Sequence, residues 1–169
     1  LPRPGARPRG GTPRHSVKVF SAGEIVLGHG QFLRLGGALR ARSGGPTNFL
    51  GSHLVYGADE AFILPRGTGD RLPWNFSIDP SVGYTKVLRK DLKLTISMDV
   101  FNVANFQQVL AVDQTYTFDD VLPIKGGTRS DLASLETTDG LPVTPNPNFG
   151  NPIAYQNPRQ FRFGIRLTF

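Results

Sequence analysis

Histidine and carboxylate side chains are the groups in this sequence that could bind a metal ion or transfer protons. The three histidines, His15, His29 and His53, stand far apart, and no two have the spacing that places a pair of ligands on one helix face. The chain has no cysteine, which excludes thiolate zinc sites, disulfides and cysteine nucleophiles. We therefore predict no metal site and no cofactor.

The acidic residues and the glycine-rich segments also lack the spacing of a catalytic site. Asp113 and the pairs Asp59-Glu60 and Asp119-Asp120 lie in polar, turn-rich sequence, which favours hydrated loops over a cation site. Neither Gly67-Thr68-Gly69 nor Gly126-Gly127-Thr128 is followed by the Lys-Ser/Thr pair and helix of a phosphate-binding loop. A Gly-x-Ser-x-Gly elbow is also missing, and we predict that the chain is not an enzyme.

The positive charge of the chain is spread out rather than gathered into a binding surface. The formal net charge is +6, but Arg3, Arg7, Arg9 and Arg14 lie in a Pro/Gly-rich head and the other cations are scattered along the chain. Single-strand nucleic acid binders instead interleave cations with aromatic residues in a stripe. We therefore predict no nucleic-acid partner.

The start of the chain lacks the features of a native N-terminus. The first residue is Leu, residues 1–14 contain no apolar core of a signal peptide, and no apolar stretch of 18 residues follows. The sequence leads us to expect a piece of a longer protein, produced by fragmentation, a split gene or a mis-assigned reading frame. We expect residues 1–14 to be an unstructured lead-in that need not belong to the native protein.

Five segments alternate apolar and polar residues with a period of two, the pattern that predicts β-strands. In the last segment, every odd position from Phe161 to Phe169 is apolar and every even position is polar or glycine. Each segment reaches the ~9–11 residues that a tilted strand needs to cross a bilayer. In chain order the segments are Ser16–Leu27, Phe32–Arg42, Phe76–Val87, Asp91–Asn102 and Phe161–Phe169.

The basic residues of these segments lie on the polar phase of the alternation. In a membrane barrel that phase faces a hydrated lumen, whereas an arginine on the lipid face costs about 2–4 kcal/mol at the bilayer midplane. Pro80 falls on the apolar phase of the third segment and predicts a bulge or a locally unpaired position. The cations on the polar phase are Arg34, Arg40, Lys93, Arg162 and Arg166.

The connections between the segments alternate between short and long. Leu27–Gln31 and Leu88–Asp91 are tight turns, whereas 43–74 and 106–159 are long loops. Transmembrane β-barrels have short periplasmic turns and long external loops. The predicted fold class is therefore all-β: an antiparallel transmembrane β-barrel segment, about five strands of a larger barrel, with long external loops.

Aromatic residues near the predicted strand ends favour a membrane–water interface, with ordinary core or loop packing as the alternative. They are Trp74, Tyr84, Phe101 and Phe106. The long loops are where a solute would be contacted, and the polar, aromatic-bearing stretches 112–116 and 146–152 are the candidates. Such loops can bind sugars, peptides or chelates, and the residues do not distinguish these classes.

The last residues of the chain resemble the C-terminal signal of outer-membrane β-barrels, in which a polar residue, a glycine and alternating apolar residues lead to a terminal aromatic. The positions that match are Arg162, Gly164, Leu167 and Phe169. The stretch 98–106 resembles the "D-x-F-N-x-x-N" motif of TonB-dependent receptors, and 157–164 is similar to their "PR" approach to the final strand. The matching positions are Asp99, Phe101, Asn102, Asn105, Pro158 and Arg159.

Further matches at 43–46, 64–67 and 71–73 resemble the Oar-like receptors, which begin with a carboxypeptidase-regulatory-like domain. The resemblance implies that residues 15–169 are C-terminal strands and loops of a receptor barrel in a bacterial outer membrane. It also implies uptake of a large or scarce solute. The implied partners are outer-membrane lipid, the remaining barrel and plug, the barrel-assembly machinery and a TonB-type energy transducer.

Two other classes of protein remain open at this point. A soluble, secreted β-sandwich binding module would use the same alternation to cover a core, although its loops are usually shorter. A porin-like or adhesin barrel without TonB coupling would show the same strands. Folding in plain buffer would indicate the sandwich, and the sequence upstream would separate the two barrel classes.

Overall fold

The computed structural model describes residues 14–169, and its largest sheet consists of the five predicted segments. The expected lead-in at 1–14 lies outside the described residues, apart from Arg14. Neighbouring strands in the sheet are antiparallel, in the order β1-β2-β5-β6-β10. The strands are β1 (Ser16–Gly28), β2 (Gln31–Arg42), β5 (Asn75–Arg89), β6 (Leu92–Phe101) and β10 (Gln160–Thr168). The all-β fold class and all five segments are therefore confirmed.

The register of this five-stranded sheet puts the polar phases of all strands on one face, because residues directly opposite each other in a ladder share a face. One row across the sheet is polar or small and the next row is apolar. The polar row runs Glu24, Arg34, Gly83, Ser97, Gly164, and the apolar row runs Ile25, Leu33, Tyr84, Ile96, Ile165. Pro80 is opposite Gly37 in the unbroken β2–β5 ladder, so the predicted bulge does not form there. The ladder from β5 to β6 begins at Ser81, and Pro80 therefore lacks a ladder partner only on the β6 side.

The apolar face of the five-stranded sheet is exposed. Ile96 is 49% exposed, Phe163 72% and Ile165 78%. A β-sandwich would bury these side chains against a second sheet, so their exposure argues against the soluble alternative. In residues 14–169 the sheet does not close, and β1 and β10 are its edges.

A row of rings lies where β5 begins and β6 ends. Ring centroids are 6.2 Å apart for His15 and Trp74, 6.1 Å for Trp74 and Phe76, and 6.0 Å for Phe76 and Phe106. Two of the predicted interface aromatics, Trp74 and Phe106, thus belong to one row. Phe101 does not, because it lies on the polar face.

The long loops are ordered, which the sequence pattern did not predict. Residues 43–73 and 109–155 form a second compact unit, here called the loop unit. It contains β3 (Leu50–His53), β4 (Gly57–Phe62), β7 (Val109–Val112), β8 (Thr115–Asp120), β9 (Pro152–Tyr155) and a 3₁₀ helix (Arg129–Ser134). β3 is antiparallel to β4 but parallel to β8, and β7 is antiparallel to β9. In the part of the chain that the structure describes, no helix has the length and apolarity to cross a bilayer.

The loop unit has a hydrophobic core of its own. Its buried side chains come from both loops: Phe49, Ala61, Ile63 and Leu64 from the first, Val121 and Leu135 from the second. The core residues of the two loops are far apart in the sequence, so each loop depends on the other for burial. The apolar contacts that stabilise this unit are therefore long-range.

We expect Leu64→Ala to loosen both loops together. Leu64 is 1% exposed, and removing its side chain leaves a cavity that costs about 2–5 kcal/mol. Limited proteolysis of the chain in detergent micelles should show faster cleavage in 43–73 and in 109–155. The control is Leu141→Ala at a 64% exposed site, which should leave cleavage unchanged. Equal cleavage of the two variants would contradict the shared core.

Candidate functional site

Residues of the "D-x-F-N-x-x-N" and "PR" motifs come together where β6 ends and β10 begins. Asp79, Asn102, Asn105, Asn157 and Arg159 form a connected set, here called the Asn102 junction. Asn102 is 5% exposed and has a φ of 51°, a left-handed conformation that asparagine tolerates better than most residues. It terminates β6 and turns the chain.

The Asn102 side chain uses both ends of its amide. Its Nδ2 donates to the carbonyl oxygens of Phe106 at 2.8 Å and Asn157 at 2.9 Å. Its Oδ1 accepts from the backbone N–H of Phe106 at 3.0 Å. One side chain therefore closes the turn 102–106 and ties it to the strand approaching β10.

Asn105 ties the same turn to the "PR" segment. It has a φ of 54°, and its backbone N–H donates to the Asn102 carbonyl at 2.8 Å. Its Oδ1 accepts from the backbone N–H of Arg159 at 3.0 Å, and Arg159 Nη1 donates to the carbonyl of Val103 at 3.3 Å. Pro158 lies between the two tied residues, Asn157 and Arg159.

Asp79 of β5 connects the junction to the rest of the sheet. This buried carboxylate accepts hydrogen bonds from the hydroxyl of Ser77 and, at 2.8 Å, from the backbone N–H of Asn102. Its Oδ2 lies 3.3 Å from Nη1 of Arg40 on β2. Sequence reasoning missed this role, because the polar phase of β5 marked Asp79 only as a lumen-facing residue.

Asp99 and Phe101 meet Arg162 on the polar face. Arg162 is opposite Asp99 in the ladder, and its Nε and Nη2 each lie 2.9 Å from Asp99 Oδ2. The guanidinium carbon of Arg162 is 5.1 Å from the centroid of the Phe101 ring. Alternation along β6 puts Phe101 beside Asp99 and under a cation, which favours the packing alternative over a lipid interface for this ring.

The other residues of the predicted assembly signal lie apart from this cluster. Gly164 is opposite Ser97, where an added Cβ would come within 2.7 Å of the serine hydroxyl. Leu167 and Phe169 continue the exposed apolar phase toward the opposite end of the strand. The structure thus brings Arg162 together with Asp99 and leaves Leu167 and Phe169 at the far end. Recognition of these residues by assembly machinery stays a prediction.

The donors and acceptors of the Asn102 junction bond to one another. The Asn102 amide is used at both ends, and the Asp79 carboxylate is shared by Ser77, Asn102 and Arg40. Such an arrangement fixes backbone geometry and leaves little capacity for a ligand. The motif is therefore best explained as a structural connection between strands.

The loop unit contains a cavity of about 420 Å³, which falls in the ~300–1,000 Å³ range of small-molecule pockets. Its wall is mainly apolar, with an ion pair of 2.6 Å between Arg129 Nη2 and Asp70 Oδ1 among its residues. Both candidate solute-contacting stretches contribute to it. The apolar lining includes Phe49, Leu72, Val112, Phe149 and Pro152.

The loop carboxylates hold turns. Asp113 accepts from the backbone N–H of Thr115 at 2.9 Å and from Nδ2 of Asn146 at 3.1 Å. Asp119 accepts from the backbone N–H of Thr144 at 2.7 Å. Within residues 14–169, no three His, Asp or Glu side chains are placed to hold a metal ion.

The comparison with known proteins agrees with the motifs. The chain is 45% identical over 168 aligned positions to a protein described as TonB-dependent transporter Oar, from Myxococcus xanthus. The alignment covers 92% of this chain and 16% of the transporter. The predicted resemblance to the Oar-like TonB-dependent receptors is confirmed. No protein-family model and no solved structure matches the chain.

The similarity to Oar covers most of the described residues, including both the five-stranded sheet and the loop unit. Because the chain spans 16% of the transporter's length, TonB-dependent transport is a property of the larger protein. Sequence reasoning found the Asn102 and Asn105 positions through this resemblance. It did not find Arg40 or Asp79, whose partners become visible only when the strands are paired.

We expect Asn102→Asp to destabilise the sheet although the side chain keeps its shape. The carboxylate cannot donate to the carbonyls of Phe106 and Asn157, and it places negative charge near Asp79. Leaving buried groups unsatisfied costs about 1–3 kcal/mol, and more when charge is involved. Urea unfolding in detergent micelles should show a lower midpoint. The exposed control Asn148→Asp should leave it unchanged, and similar midpoints for both variants would refute the role of the junction.

Asp131 gives the loop unit a pH-dependent feature. Its carboxylate accepts from the backbone N–H of Thr128 at 2.7 Å and from the Thr128 hydroxyl at 3.0 Å. These bonds, the backbone one first, lower the pKa of Asp131 from its ordinary value of 3.8. Because the folded-state pKa is the lower one, the stabilisation is present above the ordinary pKa and is lost as pH falls through the lowered pKa.

We therefore expect the start of the 3₁₀ helix to open on acidification below about pH 4. The amide resonance of Thr128, followed by NMR through this range, should shift as its bond to the carboxylate weakens. In Asp131→Asn this acid transition should disappear, whereas the exposed control Asp139→Asn should retain it. A transition that persists in Asp131→Asn would assign it to another group.

Proposed function

We propose that this chain supplies strands and external loops of a TonB-dependent receptor in a bacterial outer membrane, which takes up a large or scarce solute. The observation that carries the proposal is the division of the five-stranded sheet into an exposed apolar face and a polar, arginine-bearing face. That division suits a wall between lipid and a hydrated lumen. The similarity to a TonB-dependent transporter supports the receptor class.

The open sheet edges support the need for further barrel strands. Across residues 14–169, β1 and β10 each have one neighbour. Unpaired edges are not tolerated in hydrocarbon, because their N–H and C=O groups find no water there. In this proposal the remaining barrel pairs with both edges, a plug occupies the lumen, and a TonB-type transducer acts through the plug.

The final strand is proposed to be the segment that barrel-assembly machinery recognises. Arg162 and Gly164 occupy its polar face, and Leu167 and Phe169 continue its exposed apolar face. An aromatic residue at the end of a spanning strand suits the membrane interface. The alternating faces also allow the strand to close a barrel edge.

The loop unit is proposed to be the external part that contacts the solute. Its order supports this role, because a preformed pocket loses little conformational entropy on binding. The cavity lined by Phe49 and Phe149 is the candidate contact surface. The alternative of a barrel without TonB coupling is less favoured, because the similar protein is described as TonB-dependent.

The membrane proposal is tested by adding one lysine to each face at adjacent positions. Ile96 lies on the apolar face and Thr95 on the polar face of the middle of β6. Made in the longer receptor that supplies the missing strands, Ile96→Lys should strongly reduce protease-protected protein in lipid vesicles, because a lysine at the lipid midplane costs about 2–4 kcal/mol. Thr95→Lys in the same receptor should insert like the unmodified receptor. Cooperative folding of a monomeric chain in plain buffer would favour the sandwich instead.

A further inference from the structure

The hairpin between β5 and β6 carries cations that do not belong to the ion pairs of the polar face. Lys86, Arg89 and Lys90 are exposed and are here called the hairpin patch. Among the described residues, none of the three takes part in an ion pair or a side-chain hydrogen bond. Asp91 is the single carboxylate of the turn, so the hairpin is clearly basic.

Lys86 lies on the apolar face rather than the polar one. It is opposite Gln31 on β2 and Leu94 on β6, and Leu94 shares the apolar phase of β6 with Ile96. Two residues earlier on the same face, Tyr84 is opposite Ile96. A lysine on a lipid-facing surface is tolerated only near the edge of the hydrocarbon, where its stem stays apolar and its ammonium reaches polar groups.

Apart from Asp91 in the turn and Lys93 opposite Val87, the surroundings of the hairpin patch are uncharged and largely apolar. Leu88 is exposed beside the patch, and the Tyr84 hydroxyl donates to Oε1 of Gln31 at 2.7 Å. The neighbouring turn Gly28-His29-Gly30 adds no carboxylate, and it is joined to this hairpin by a 2.8 Å hydrogen bond from the Val87 N–H to the Gly30 carbonyl. Apolar side chains next to unpaired cations suit an amphipathic ligand.

We propose that the hairpin patch binds the phosphate groups of anionic phospholipids in the leaflet that meets this end of the sheet. The inference rests on the proposed function, which places the apolar face against lipid. A soluble anion in the lumen would meet the opposite, polar face. A phospholipid instead brings its acyl chain to Tyr84 and Leu94 and its phosphate to the patch, which matches the face that Lys86 occupies.

The test compares two variants with the same loss of charge. Lys86→Gln/Lys90→Gln removes two patch lysines, and Lys18→Gln/Lys125→Gln removes two exposed lysines from the polar face of β1 and from the loop unit. The full chain is bound to vesicles of phosphatidylcholine alone and of phosphatidylcholine with about a quarter phosphatidylglycerol. Each basic residue near an anionic surface contributes about fivefold to binding.

We expect the unmodified chain and Lys18→Gln/Lys125→Gln to prefer the anionic vesicles, and Lys86→Gln/Lys90→Gln to lose most of that preference. Binding to pure phosphatidylcholine should be the same for all three, which shows that the variants keep their apolar face. Equal losses in both variants, or no preference in the unmodified chain, would overturn the lipid-phosphate site alone. Failure to bind either vesicle would overturn the membrane proposal and the site with it.

Discussion

The registration of the five long strands is the constraint on which the rest of the structure depends, because a slip of one residue would exchange the apolar and polar faces. Each neighbouring pair of strands is joined by a polar side-chain contact. The contacts are Glu24–Arg34 for β1–β2, Arg40–Asp79 for β2–β5, Thr85–Thr95 for β5–β6 and Asp99–Arg162 for β6–β10. Exposed ion pairs contribute only about 0–1 kcal/mol each. Their value here is that a slipped register would break them while moving arginines onto the apolar face.

The two units bury apolar surface in different ways. In the loop unit, Leu64 and Val121 are buried against side chains from the other loop, as in a water-soluble domain. In the five-stranded sheet, residues such as Ile96 and Ile165 remain exposed within the chain. The loop unit therefore removes its apolar side chains from water by packing them against one another. In the proposed function, the five-stranded sheet removes its apolar face from water by contact with lipid. This difference explains a low apolar content, because a wall one sheet thick needs apolar residues on one side only.

The sheet was predictable from sequence because period-two alternation is a local signal that each strand carries alone. Strands β3, β4, β7, β8 and β9 were not, because four to six residues show too little alternation and their pairing is long-range. Leu50, for example, pairs in parallel with Thr115. In the candidate site, too, local sequence signals were predictable and contacts made through long-range pairing were not. Asn102 was found through a motif, but its contact with Asp79, and that of Asp79 with Arg40, arise only through strand pairing. A position near a strand end likewise did not reveal that Phe101 lies on the polar face.

The Asn102 junction also explains why a polar motif lies where the sheet gives way to a long loop. The chain leaves at Gln108 and returns at Gln156, and these residues are joined by a 2.8 Å hydrogen bond from the Gln156 N–H to the Gln108 carbonyl. Gln156 Nε2 also donates to the carbonyl of Phe76 at 2.6 Å. Closing a loop of this length costs about 3 kcal/mol of chain entropy. The hydrogen bonds of Asn102, Asn105 and Gln156 hold both ends of the loop at the sheet and so offset this entropy cost. The hydrophobic core of the loop unit then needs to offset only the entropy of ordering the residues between Gln108 and Gln156.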